Sequence, residues 1–258
     1  PDGDPETEND NGLPATYDQF FQLCDKMVED GITPVMWGGT VQEYVSSLLI
    51  ALATDHNGKE QAELNYNYDG TARNLITGFD ASGNPIIGTP KLITAKKGYE
   101  LYKQEGRYYA LKFLERLVSN PDYYNEDATN NAFTHTDAED AYIYSKFSSS
   151  RKRTAMLIDG NWWQKEAESS FDDLIAEKGD SESYYNRRFG MLPLPKATEA
   201  KVGEPYTIIE YASGDGFVNG NIADFKIPLA KAFVQFLATN ESLVDYLAAN
   251  FVAMPFEI

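Results

Sequence analysis

The chain has 258 residues and a formal net charge of −18, from 40 acidic against 22 basic side chains. A surface that negative repels phosphate backbones and anionic lipid, so nucleic-acid and membrane-surface binding are poorly served. Length allows one large or two small domains. Aromatics are abundant, with 17 Tyr, 14 Phe and 3 Trp, which suits either a packed core or recognition of neutral polar ligands by ring faces.

Residues 1–13 are acidic, rich in Gly and Asn, and read as a tail or linker. The spacing of Asp2, Asp4 and Glu6 does not fit a calcium loop, and no metal or cofactor is expected. The chain starts at Pro1 rather than Met, without a signal peptide, which suggests a processed protein or a piece of a longer one. Thr16 is an N-cap and Gln19, three positions on, completes a capping box. Phe20, Leu23, Cys24, Met27 and Val28 then recur at helical spacing, and Gly31 stops the helix. Cys24, the lone cysteine, reads as a buried structural thiol. A short strand follows over residues 32–37, then Gly38-Gly39, then a helix over 42–54 that is apolar on several sides. The longest apolar run, near Val45 to Ala53, is too short to span a bilayer.

Between Tyr68 and Leu92, Gly, Asn, Asp and Pro punctuate short apolar runs, with a hairpin or loop excursion over residues 79–85. One long helix is predicted over 96–119 and another over 137–147. The run Thr154-Ala-Met-Leu-Ile-Asp-Gly-Asn-Trp-Trp163 reads as a buried strand, a glycine turn and two adjacent tryptophans at the strand end, where ligands of α/β proteins tend to lie. Helix 164–178, a strand over 188–195, a strand over 206–211 and helices over 227–239 and 241–250 complete the prediction. The class is α/β weighted towards helix.

The order of these elements resembles the second lobe of extracytoplasmic solute-binding proteins of the carbohydrate-binding family, relatives of maltose-binding protein. Pro14-Ala-Thr-Tyr-Asp-Gln with Gly31-Ile-Thr-Pro34 resembles that family's "P-x-T-W-D-E" helix and "G-I-x-P". Ala138-Glu-Asp-Ala141, Phe147 and Thr154-Ala-Met-Leu-Ile-Asp-Gly-Asn-Trp162 resemble its "A-x-x-x-F…G-x-x-A-M-x-I-x-G-x-W" block. Phe189-Gly-Met-Leu-Pro-Leu-Pro195 resembles "Y-G-V-x-P-L-P", and Ala230-Lys-Ala-Phe-Val-Gln-Phe-Leu237 resembles "A-x-x-F-L-x-F-L". The likeness covers most of the chain from Pro14 onward. Tyr17 stands where the family has Trp. The family's first lobe and last helices have no counterpart, so the expected organisation is a tail over 1–13, a second lobe over 14–215, and a helical segment over 216–258 returning towards the first lobe.

The resemblance implies a sugar or oligosaccharide ligand held in an interlobe cleft, and a transmembrane permease of an ATP-driven importer as partner. It also implies a location outside the cytoplasmic membrane, with a lipid anchor through a cysteine not in this chain. A monomer without catalytic activity is expected. Carried onto this sequence, the ligand contacts are Trp37, Tyr44, Trp162, Trp163, Ser213, Gly214 and Asp215, with Glu43 and Glu210 as weaker candidates. The rival readings are a glycoside hydrolase, which needs two carboxylates flanking a sugar bond, and a surface adhesin that binds carbohydrate or protein. Forty acidic residues guarantee chance pairs such as Glu139-Asp140, and His56 and His135 lack ligand spacing. No G-x-S-x-G elbow, phosphate loop or dinucleotide fingerprint is present.

Overall fold

The structure is a computed structural model, and it describes residues 12–40, 42–149, 152–208 and 221–250. The chain divides into two compact units. The first comprises residues 1–159 and 185–209, the second residues 160–184 and 210–258. The fold is helix-rich α/β, with a small sheet flanked by helices.

Helix α1 (Tyr17–Glu29) begins as its sequence dictates. Thr16 is the N-cap, and its hydroxyl accepts from the Gln19 backbone N–H. The Gln19 side chain reaches back one residue further than a standard capping box, accepting from the Ala15 N–H at 2.7 Å. At the other end Gly31 takes φ +74°. Its N–H bonds to the Val28 carbonyl and that of Ile32 to the Met27 carbonyl, which closes the helix in a Schellman motif. Tyr17, Phe20, Phe21 and Cys24 face the interior. The rings of Tyr17, Phe20, Phe21, Phe113 and Tyr123 lie in contact, with centroids 4.8–5.6 Å apart. Burial in this cluster, followed by the nearby Asp25, pushes the Cys24 thiol up to about 12, so it is protonated and inert near neutrality.

Strand β1 (Thr33–Met36) is buried along its whole length. It pairs in parallel with β6 (Thr154–Leu157), Thr33 opposite Thr154 and Met36 opposite Leu157. A parallel pair needs a long crossover, and more than a hundred residues intervene here. Within them, α2 (Gln42–Asn67) extends well beyond the predicted 42–54. It is kinked at Gly58, where φ 72° and ψ 165° leave helical space. Short strands β2 (Gly70–Ala72) and β5 (Lys91–Ile93) pair antiparallel around the hairpin of β3 (Ile76–Phe79) and β4 (Pro85–Ile87). The hairpin turn is held by Asp80, whose carboxylate accepts from the backbone N–H groups of Ser82 and Asn84.

The single helix predicted over 96–119 is two elements. Residues Ala95–Lys103 form a 3-10 helix, and α3 (Glu105–Ser119) follows it. Between them Gln104 is extended, at φ −59° and ψ 137°, and only 2% exposed. Its amide donates to the Gln61 carbonyl at 2.8 Å and its oxygen accepts from Asn65 at 2.8 Å. Satisfying a buried carboxamide outweighs continuity of the helix. Two residues later, Gly106 lets α3 close on α2, since a Cβ there would lie 2.4 Å from the Ala53 carbonyl oxygen.

Helix α4 (His135–Ser145) packs on β6. In the second unit, α5 (Trp163–Glu166) and α6 (Glu168–Lys178) break the predicted 164–178 helix at Ala167. Helices α7 (Ile227–Leu237) and α8 (Asn240–Asn250) match the expected pair closely. The strand predicted over 188–195 does not form. Pro193 and Pro195 have no N–H to give a ladder, and pairing begins only at Lys196, which bridges Thr16. Of the strand predicted over 206–211, residues 206–208 are not in a sheet, and the remainder lies outside the described residues.

Candidate functional site

Ligands of α/β proteins bind beyond the carboxyl ends of parallel strands. In this chain that edge is where β1 and β6 end side by side, the Ile158 N–H bonding to the Met36 carbonyl at 2.9 Å. Beyond β1 the chain runs through Trp37, Gly38 and Gly39. The two glycines allow other backbone to come close. A Cβ on Gly39 would lie 2.2 Å from the Asn130 carbonyl oxygen, and one on Gly38 2.8 Å from the His135 backbone. Thr40 then ties down the loop before α4, its N–H and hydroxyl both donating to the Phe133 carbonyl, at 3.0 and 3.1 Å.

This packing places the start of α4 at the carboxyl edge of the strand pair. Thr134 caps the helix in a full capping box. The Asp137 carboxylate accepts from the Thr134 N–H at 2.9 Å and from its hydroxyl at 2.7 Å. These two bonds hold the Asp137 carboxyl below the usual carboxylate range. Beside the cap lies an open groove of about 380 Å³, lined by Asp127, Phe133, Asp137, Asp140, Ala141 and Tyr144. The groove thus combines carboxylate acceptors with two aromatic side chains. Its three aspartates do not converge closely enough to share one cation, so hydrogen bonding and ring contact are the chemistry it offers.

The candidates drawn from the sequence fall into three sets. Trp37 is 6% exposed and packs in the core against Tyr124, ring centroids 5.2 Å apart. Its face is taken by protein, a correction to its role as a ligand contact. Tyr44 makes an edge contact with His135, the first residue of α4, at 6.4 Å and does not line the groove. Trp162 and Trp163 belong to the second unit. Trp162 precedes α5 and is 36% exposed, its ring lying over Gly160, where a Cβ would come within 2.3 Å. Trp163 is half-buried, 6.1 Å from the fully buried Phe171 ring. Ser213, Gly214, Asp215 and Glu210 lie outside the described residues, as does the side chain of Glu43.

Sequence reasoning missed Asp127, Phe133, Asp137, Asp140 and Tyr144. Asp140 was visible only as one half of a chance acidic pair on a helix. The one local signal was Thr134-x-x-Asp137, a capping-box pattern, which fixes where α4 begins and hence which side chains meet the strand ends.

Comparison with known proteins adds no relative: no protein-family model, curated protein or solved structure matches this chain.

Proposed function

We propose that this chain is part of the substrate-binding component of an ATP-driven importer, taking a sugar or oligosaccharide outside the cytoplasmic membrane and passing it to a membrane permease. The observation that carries the binding half of this reading is the groove that runs along α4 from its capped start, with its three aspartates and two aromatic rings. Sugars present hydroxyls that donate to carboxylates and C–H faces that stack on rings. Bonds to charged groups contribute about 1.5–3 kcal/mol each, and a ring contact about 0.5–1.5 kcal/mol beyond its area. A micromolar ligand needs about 8 kcal/mol, so several of these contacts must act together. The importer half rests on the ordered motifs that resemble the carbohydrate-binding family, Thr154-Ala-Met-Leu-Ile-Asp-Gly-Asn-Trp162 foremost.

A hydrolase is less well supported. A glycosidase acid needs its pKa raised, whereas Asp137 is held in the opposite direction by its cap. Titration of intrinsic tryptophan fluorescence with a panel of neutral mono- and oligosaccharides tests the reading. A saturable change weakened by Phe133→Ala, whose ring lines the groove, without release of cleaved sugar, is the expected outcome. Silence across the panel removes sugar as the ligand class, and cleavage removes the transport reading.

A further inference from the structure

The 3-10 helix Ala95–Lys103 is nine residues long, where such helices rarely exceed three or four. With three residues per turn, side chains at i and i+3 eclipse, so this element has three distinct faces. Gly98 and Leu101 share the face turned towards the protein, Leu101 joining a small core with Leu64, Ala72, Leu75 and Ile93. Lys97, Glu100 and Lys103 form the second, on which Glu100 pairs with Lys103 at 2.9 Å and with Lys91 at 3.5 Å. Lys96, Tyr99 and Tyr102 form the third, which faces solvent: Tyr99 is 64% and Tyr102 68% exposed.

One neighbour extends that outer row: the Arg107 guanidinium lies 4.6 Å above the Tyr102 ring. Tyr68, at φ 52°, a region tyrosine seldom occupies, instead packs its ring against Gly98 on the face that carries Leu101, where a Cβ would come within 2.6 Å. The local charge is opposite to that of the whole chain. Among the described residues no carboxylate pairs with Lys96, Lys97 or Arg107, in a protein of net charge −18.

We propose that this tyrosine row is a second carbohydrate-binding surface, separate from the groove, and that its ligand is an acidic glycan bearing carboxylate groups. Eclipsed tyrosines three residues apart on a 3-10 helix are separated by a rise of about 6 Å, close to the length of one pyranose unit. Successive sugar rings of one chain can therefore lie along successive tyrosines. Lys96, Lys97 and Arg107 supply cations for the uronate carboxylates. Repulsion from the rest of the protein is screened beyond about 8 Å at physiological salt, which leaves a short patch of this kind effective.

Affinity electrophoresis in gels containing polygalacturonic acid tests the proposal, with fully methyl-esterified polygalacturonate as a neutral polymer of the same backbone. The expected result is retardation by the acid form that Tyr99→Ala/Tyr102→Ala weakens roughly tenfold and that Lys96→Ala/Lys97→Ala also weakens, while Phe133→Ala in the groove leaves it unchanged. That last comparison separates this surface from the proposed transport site. Unaltered circular dichroism and melting in the variants confirm that folding is not the cause. Equal retardation by the methyl ester, no loss in the tyrosine variant, or binding only to anionic lipid vesicles overturns the proposal.

Discussion

Aromatic side chains on either side of Gln104 have opposite fates. Behind it, Phe113 of α3 joins Tyr17, Phe20, Phe21 and Tyr123 in the interior, all less than a tenth exposed. Ahead of it, Tyr99 and Tyr102 stand two-thirds in water. The difference lies in helical period rather than in residue type. An α-helix repeating every 3.6 residues turns Tyr17, Phe21 and Cys24 onto one inward face. A 3-10 helix repeating every three aligns Lys96, Tyr99 and Tyr102 outward and gives Leu101 the inward position. An aromatic-rich composition is therefore two populations, one that holds the fold and one that is available for binding.

That contrast can be broken from the core side first. Phe21→Ala removes a fully buried ring that touches three others and lies beneath the Arg116 guanidinium. A loss of about 3–5 kcal/mol is expected, measured by urea unfolding. A cost below about 1 kcal/mol would mean the cluster is not a packed core. The buried pair of Lys196 and Asp55, at 2.9 Å with both side chains 5% exposed, sharpens the picture. Lys196→Ala leaves a buried carboxylate held, among the described residues, by the Thr207 N–H, at a cost of about 3–5 kcal/mol. Lys196→Met with Asp55→Leu should recover most of it, and a double variant as unstable as the single one would contradict this account. Gly39→Ala drives a Cβ into the Asn130 carbonyl, and about 1–3 kcal/mol is expected from overpacking in the same unfolding assay.

Two smaller effects complete the series. The Asp137 carboxyl has its pKa depressed in the folded state. Its contribution is therefore present above the unfolded value of about 3.9 and fades as pH falls through the depressed one. Far-ultraviolet circular dichroism during acid titration should show α4 loosening in the wild type, and Asp137→Asn should lack that acid-dependent component. Tyr99→Ala should change stability by less than about 0.5 kcal/mol, because its ring is mostly solvated. A large loss would place Tyr99 with the core tyrosines and remove the distinction.

How far the sequence revealed this molecule depends on how local each cause is. The α1 cap and its Gly31 stop, the residue 79–85 turn and the final two helices were legible, because each is decided within a few residues by hydrogen-bond chemistry. The break at Gln104 was not. It depends on Gln61 and Asn65, some forty residues away, meeting a carboxamide that nothing local marks as buried. The strand pattern over 188–195 failed because apolar alternation says nothing of a missing N–H partner. At the site, the family resemblance singled out Trp37, but its ring packs against Tyr124 in the core. Asp127, Asp140 and Tyr144 come together only through the α4 start and the Thr40 tether.

Calorimetric titration with neutral oligosaccharides, on the wild type and on Asp140→Asn and Phe133→Ala, tests the central claim most directly. Asp140 and Phe133 line the groove without forming the Thr134 cap. Saturable heat with at least one sugar, weakened roughly tenfold by loss of one charged hydrogen bond and similarly by loss of the ring, is the predicted result. Sugar binding that is indifferent to both substitutions, or absent across the panel, would contradict the assignment of this groove as the ligand site.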